Sequence, residues 1–187
     1  MVDRGHHSFY SDAVNASAAY LENKDGEIVA RCIVYNEVFD EEGKVWRLAE
    51  RQYSRDSDSG LKSALVNALI SENQIDAFKS IGAGCGDATS LEDVNGNSLS
   101  GKKFHINCDL RCDDVLSYQD SFKWYDIDKG VAYNYAADGA DYALDTTDLN
   151  LYGDTDDDDE DDEPNEWDSY HQTTVWEVCD VYVHGTS

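Results

Sequence analysis

The sequence is poor in positive charge. It has 187 residues with 14 Lys and Arg against 40 Asp and Glu, for a net charge of −26. Every basic side chain lies at or before Lys129, and residues 130–187 carry 17 Asp and Glu and no Lys or Arg. A chain this acidic repels nucleic acids and anionic membrane surfaces. We therefore expect no direct nucleic-acid or membrane binding, and a basic protein or cations as partners.

Long apolar runs, prolines and paired cysteines are also scarce. No segment approaches the ~18 apolar residues that span a bilayer, and the start, MVDRGHHSFYSD, lacks the apolar region of a secretory signal. Pro164 is the single proline. The five cysteines are odd in number and unevenly spaced, which is typical of reduced, buried thiols. These absences predict a soluble protein of the (host) cytoplasm.

The apolar content is sufficient for a folded core. Hydrophobic residues make up 41% and aromatic residues 11% of the chain, and the length suits one domain. Residues 18–53 show three strand-like segments with turns at Lys24-Asp25-Gly26 and at residues 40–43. The sequence therefore predicts a single α+β domain over residues 1–187, with a mainly antiparallel sheet and one principal helical segment.

The helical segment follows the three strands. Apolar residues recur with helical spacing from Leu61 to Leu69, and Asp58 or a neighbouring serine can cap the start. We expect the helix to continue through Ile75 and Phe78 and to end at Gly82.

The remaining segments alternate between glycine-rich loops and short strands. A hairpin is expected around Asn95-Gly96, and a strand over residues 104–110. Residues 117–126 suit a short helix or an irregular segment. A hairpin joined by residues 137–139 is expected next, and residues 173–184 are expected to form the last strand.

The segment 154–163 has nine acidic residues in ten positions. In an extended chain this gives about one charge per 3.7 Å, close to the ~3.4 Å spacing along a single DNA strand. A solvated, self-repelling loop explains the run equally well. Because strands are expected on both sides, we interpret residues 154–166 as an internal acidic loop.

The candidate partner-binding residues combine this run with neighbouring carboxylates and two aromatic anchors. Carboxylates on strands keep fixed positions and lose less entropy on binding than those of a loop. The set comprises Asp138, Asp141, Asp145, Asp148, Asp154, Asp156, Asp157, Asp158, Asp159, Glu160, Asp161, Asp162, Glu163, Trp167 and Tyr170.

The candidate metal and catalytic motifs of the sequence have simpler structural interpretations. His105, Cys108 and Cys112 have zinc-ligand chemistry, but the strand pattern around them favours buried structural cysteine. The acidic run lacks the glycine and the glutamate of a calcium loop. Cys85 lies among glycines with no base at a fixed spacing. We therefore predict no metal site and no catalytic residue.

A group of aromatic residues lies between positions 118 and 135. They could stack on nucleic-acid bases, but the surrounding charge has the wrong sign. Core packing or a protein interface explains them better. The members are Tyr118, Phe122, Trp124, Tyr125, Tyr133 and Tyr135.

Two resemblances bear on function. The order hairpin, strand, helix, with KVWRLAERQY leading into LKSALVNALI, resembles the middle of the GNAT acetyltransferase fold, which implies acetyl-coenzyme A binding at the connecting loop. The connection here, SRDSDSG, has one glycine and two aspartates where that family uses a glycine-rich pyrophosphate loop, so no cofactor is predicted. RLAERQYS and SYQDSFKWYD are similar to segments of uncharacterised bacteriophage and mobile-element proteins, which implies a phage-like origin.

Three function classes remain. The first is a non-enzymatic acidic protein, a phage-derived inhibitor that mimics nucleic-acid charge and occupies a basic surface of a host nucleic-acid-binding protein, as in counter-defence. The second is a divergent GNAT-like acyltransferase. The third is a virion or structural protein whose acidity maintains solubility or binds cations. The sequence does not fix the oligomeric state.

Overall fold

The computed structural model describes residues 15–84, 87–108, 120–126, 128–142 and 180–185. One α-helix and eleven strands lie within these ranges. They are β1 (Ala16–Glu22), β2 (Ile28–Asp40), β3 (Val45–Ala49), β4 (Tyr53–Ser54), α1 (Ser59–Ser71), β5 (Ala77–Lys79), β6 (Leu91–Asp93), β7 (Phe104–Asn107), β8 (Trp124–Asp126), β9 (Val131–Tyr133), β10 (Asp141–Tyr142) and β11 (Asp180–Gly185). The predicted acidic loop at 154–166 lies outside the described residues.

The strands form one sheet, in which β2 is the central member. The order is β10-β8-β9-β7-β2-β3-β5-β6, with β1 and β4 also paired to β2, and β11 paired to β1. All pairings are antiparallel except that of β3 with β5. The prediction of a single α+β domain with a mainly antiparallel sheet and one helix is confirmed. In the described part of the chain, no helix is long and apolar enough to cross a membrane.

Helix α1 starts where the sequence predicts and ends earlier. The side chain of Asp58 accepts hydrogen bonds from the amides of Gly60 and Leu61, which caps the first turn. The expected continuation to Gly82 is wrong, because the backbone of Asn73 turns to a φ of 53° just after the helix. Residues 77–79 then form β5 beside β3, a pairing that helical spacing alone does not reveal.

The strands near the C-terminal end also differ from prediction. Residues 124–126 form β8, not a short helix or irregular segment. Strands β9 and β10 do not form the expected hairpin with each other, since both pair with β8, one on each side. The hairpin around Gly96 is confirmed by the bridge between Glu92 and Ser98. Strand β11 confirms the C-terminal part of the last strand, which was expected over residues 173–184, and residues 173–179 lie outside the described residues.

Two apolar clusters form the core. One joins helix α1 to β1, the first half of β2, and β5, and includes Leu61, Leu65 and Leu69. The other lies under β7, β8, β9 and the second half of β2, and includes Phe104 and Phe122. Strand β2 contributes to both clusters, so it connects the two halves of the domain.

A buried carboxylate lies at the end of β2. Asp40 is only 2% exposed. It accepts hydrogen bonds from the indole of Trp46 at 3.0 Å and from the backbone amides of Glu42 and Lys44, and it forms an ion pair with Lys102 at 3.0 Å. Burial alone would raise the pKa of Asp40, but the bonds from Trp46 and Lys102 hold it well below its usual range.

We expect the substitution Asp40→Asn to lower the free energy of unfolding by about 2–3 kcal/mol, because charge-assisted bonds to a buried group are lost. Urea unfolding at neutral pH measures this. The control is Glu41→Gln, which removes the exposed ion pair with Lys103 and should cost between 0 and ~1 kcal/mol. Equal costs for the two variants would contradict the structural role of Asp40.

Candidate functional site

Five neighbouring strands each place one ring in the same row across the sheet. In the pairing register, Phe39 of β2 is opposite His105 of β7, and His105 is opposite Tyr133 of β9. Tyr133 is opposite Trp124 of β8, which is opposite Tyr142 of β10. We name these five side chains the aromatic row.

Ring contacts at distances typical of aromatic pairs join the first three members of the aromatic row and, separately, its last two. The centroids of Phe39 and His105 are 5.4 Å apart with an interplanar angle of 21°, and those of His105 and Tyr133 are 6.0 Å apart. Trp124 and Tyr142 are 5.4 Å apart at 76°. Tyr135 extends the group, since its ring meets Tyr133 edge to face at 5.4 Å.

The row lies on the face of the sheet that points away from the core. Successive side chains of a strand alternate between faces, and the neighbours Phe104, Ile106, Ala132 and Tyr125 are buried. The rings of the row are half-buried or exposed, and Tyr142 reaches 53% exposure. A row of partly accessible aromatic side chains therefore lies on this face, and Tyr142 is its most exposed member.

His105 belongs to this row as a neutral ring. Burial lowers its pKa, and the charge of Asp40 only partly opposes this effect. At neutral pH the imidazole is thus uncharged, so it stacks against Phe39 as an aromatic group and adds no positive charge to the row.

Among the described residues, the charge left unpaired beside the aromatic row is that of a carboxylate, Asp138. The nearby ammonium groups of Lys103 and Lys129 are each paired, with Glu41 at 3.1 Å and with Asp126 at 2.5 Å. Asp138 follows these strands as an exposed residue, and its charge contributes with Glu41 to the raised pKa of Lys103. The face therefore suits a cationic ligand better than an anionic one.

The structure describes two of the predicted partner-binding residues. Asp141 lies on β10 and Asp138 on the turn before it, and both are exposed. Neither forms an ion pair within the described ranges. The other predicted members, from Asp145 to Tyr170, lie outside the described residues.

The candidate zinc ligands do not come together in the described part. His105 lies in the aromatic row, whereas Cys108 is buried in the core below it with its sulfur 3.7 Å from the carbonyl oxygen of Ile106. Burial raises the pKa of Cys108 to about 12, which disfavours the thiolate that binds metal. Cys112 lies outside the described residues, and no metal-ligand group occurs among the residues that are described.

A second polar cluster is buried at the ends of β3 and β5. Glu50 is 3% exposed and accepts hydrogen bonds from the amide and the hydroxyl of Ser121, at 3.2 and 2.9 Å. The side-chain amide of Gln52 joins the two strand ends, because it donates hydrogen bonds to the backbone carbonyl oxygens of Glu50 and Lys79. Lys79 is fully buried, and no described group accepts a hydrogen bond from its ammonium nitrogen.

The electrostatics of this cluster centre on Glu50. Burial raises the pKa of Glu50 to about 7, with the charge of Lys79 opposing and that of Asp120 adding to the shift. Burial also raises the pKa of Asp120, whose carboxylate accepts a bond from Tyr53 at 3.4 Å. The cluster joins the loop at Ser121 to the sheet, which gives it a structural role.

We expect Glu50 to make folding stability fall as pH rises from about 4.5 to about 7, because the folded state retains a proton that the unfolded chain releases. The effect is on the order of 3 kcal/mol. In the variant Glu50→Gln this part of the pH profile should disappear from urea unfolding curves. The exposed-site control Glu72→Gln should keep the wild-type profile, and parallel profiles for wild type and Glu50→Gln would contradict the assignment.

Sequence reasoning recognised only part of the aromatic row. The sequence analysis placed Trp124 and Tyr133 in one group with Phe122 and Tyr125. In the structure Phe122 and Tyr125 are buried in the core, so they do not share the face of the row. Phe39, His105 and Tyr142 were missed. Alternation within each strand predicts which side chains share a face, but the register that aligns five strands depends on tertiary pairing.

The connection before helix α1 bears on cofactor binding. Asp58 already occupies the first free amides of the helix, those of Gly60 and Leu61. A pyrophosphate needs such amides as donors and is repelled by the carboxylate that holds them. The geometry thus disfavours a phosphate-bearing cofactor at this position.

The chain was compared with protein families, curated proteins and solved structures. No family model, no curated protein and no solved structure matches the chain.

Proposed function

We propose that the protein is a non-enzymatic acidic binding protein, whose C-terminal third engages a basic surface of another protein. The observation that carries this proposal is the charge segregation of the chain, with 17 Asp and Glu and no Lys or Arg in residues 130–187. The described part of this segment supports it, because Asp138 and Asp141 are exposed and form no ion pair within the described ranges.

Charge complementarity would act mainly on the rate of association. A field of one sign steers an oppositely charged partner and raises the on-rate, and salt screens it over about 8–10 Å. The charge spacing of the run at 154–163 is close to that of a nucleic-acid strand. The partner is therefore a basic, nucleic-acid-binding host protein, and the proposed activity is inhibition by occupying its nucleic-acid site. The phage origin is part of this proposal.

We expect the quadruple substitution of Asp156, Asp157, Asp158 and Asp159 by Asn to weaken binding by roughly tenfold at low salt. Each exposed ion pair contributes about 0.2–1 kcal/mol, and 1.4 kcal/mol is a factor of ten. The measurement uses basic proteins captured from bacterial lysate on the immobilised chain, eluted in a salt gradient and then titrated with each variant.

The matched control removes four exposed carboxylates from the N-terminal part, at Asp25, Glu42, Asp56 and Glu72. Its net charge equals that of the first variant, so it separates local complementarity from total charge. Inhibition further requires that duplex DNA compete with the chain for the captured protein. Equal weakening by both variants, or no competition by DNA, would overturn the proposal.

The acyltransferase alternative is tested by calorimetry with acetyl-coenzyme A. The feature that favours it is the parallel pairing of β3 with β5 across helix α1. Because Asp58 holds the first helix amides, we expect no saturable heat of binding. Saturable binding that is lost on addition of free coenzyme A would replace our proposal. Abundance in purified virions without affinity for basic proteins would support the structural alternative instead.

A further inference from the structure

We propose that the aromatic row is a second contact surface, one that binds arginine side chains in an extended segment of the basic partner. This inference rests on the proposed function, because it specifies how the same class of partner is recognised at short range. It adds a surface on the described sheet, separate from the acidic run.

The ring geometry leaves aromatic faces free for a ligand. Trp124 and Tyr142 meet at 76°, edge to face, so these two rings are not stacked face to face on each other. Aromatic faces carry negative electrostatic potential and attract cations within about 6 Å of the ring centroid. The half-exposed position of Trp124 and the 53% exposure of Tyr142 make these faces reachable.

Cation–π contacts also occur between residues of the protein itself. The ammonium of Lys44 lies 3.5 Å from the ring centroid of Trp46, and that of Lys103 lies 5.1 Å from the centroid of Tyr135, beside the row. Among the described residues, no Lys or Arg lies over a ring of the row itself. The rings of the row can therefore accept a cation–π contact, and no described Lys or Arg of the protein itself occupies them.

The charges around the row select the kind of ligand. Asp138 is exposed and acts on Lys103, which lies over Tyr135 beside the row, and the two nearby lysines are paired with carboxylates. An RNA or DNA strand would place phosphates against these carboxylates, which disfavours base stacking here. Arginine fits better than lysine, because the planar guanidinium stacks on rings and is less strongly hydrated than an ammonium.

The length of the row sets the length of the ligand. Five strands about 4.8 Å apart span roughly 19 Å. An extended peptide covers that distance with about six residues at ~3.3 Å each, and alternate side chains face the same way. The row therefore accommodates about three arginines spaced two residues apart.

The test compares an arginine–serine repeat peptide with the lysine–serine peptide of the same length and charge. We expect the wild-type chain to bind the arginine peptide about five- to tenfold more tightly, as measured by calorimetry at physiological salt. Trp124→Leu and Tyr142→Leu should each reduce this preference at least threefold. Tyr20→Leu, a half-buried aromatic on β1 outside the row, should leave it unchanged.

The design separates this inference from the proposed function. Neutralising Asp156–Asp159 should weaken both peptides equally and leave their ratio intact, because the run acts on charge alone. A ratio near one in the wild-type chain, or a ratio that survives Tyr142→Leu, overturns the arginine surface while the proposed function stands. If neither peptide binds, both fail.

Two outcomes would assign the row to another ligand. Binding of a thymidine oligonucleotide that is lost in Trp124→Leu would identify a base-stacking surface and overturn the inference. Binding of an uncharged oligosaccharide with the same loss would do so as well. Thermal unfolding of each variant confirms that the fold is retained, and the exposed Tyr142 keeps the test decisive if Trp124→Leu destabilises the sheet.

Discussion

The fold depends on the hydrogen bonding of both edges of strand β2. One edge pairs with β1 along its first part and with β7 at its end, while the other edge pairs with β4 and β3. The change of partner coincides with a register shift between Tyr35 and Val38. This single strand of 13 residues holds together the helix-covered half and the half that carries the aromatic row. Buried Asp40 at its end holds the turn between β2 and β3 through the amides of Glu42 and Lys44, and it pairs with Lys102 before β7.

The sequence predicted those strands, turns and helix ends that depend on residues close together in the chain. The first two hairpins depend on glycine turns at Gly26 and Gly43, both with a φ of 77°, and the start of helix α1 depends on one capping aspartate. Strands of two or three residues have no such signal. Helical spacing extended through Phe78 although pairing with β3 makes that segment a strand. The partners of β8 and β10 are likewise determined by the sheet as a whole.

One feature of the candidate site could likewise be predicted from the sequence, and another could not. Its charge could be predicted from the sequence, because an excess of carboxylates is a property of composition and needs no register. The aromatic row could not, since its members are single residues from five strands between positions 39 and 142. Trp124 and Tyr125 are adjacent in sequence and point to opposite faces, so proximity in the chain misleads about which rings act together.

Charge and ring geometry would contribute differently to recognition. A dense run of carboxylates attracts every basic protein, and its reach at physiological salt is about 8 Å. Attraction of that kind accelerates encounter but discriminates poorly among cationic partners. Discrimination requires contacts that depend on shape, and rings fixed by a hydrogen-bonded sheet lose little entropy when a ligand stacks on them. A chain that combines the two can capture basic proteins quickly and retain those that present arginine in an extended segment.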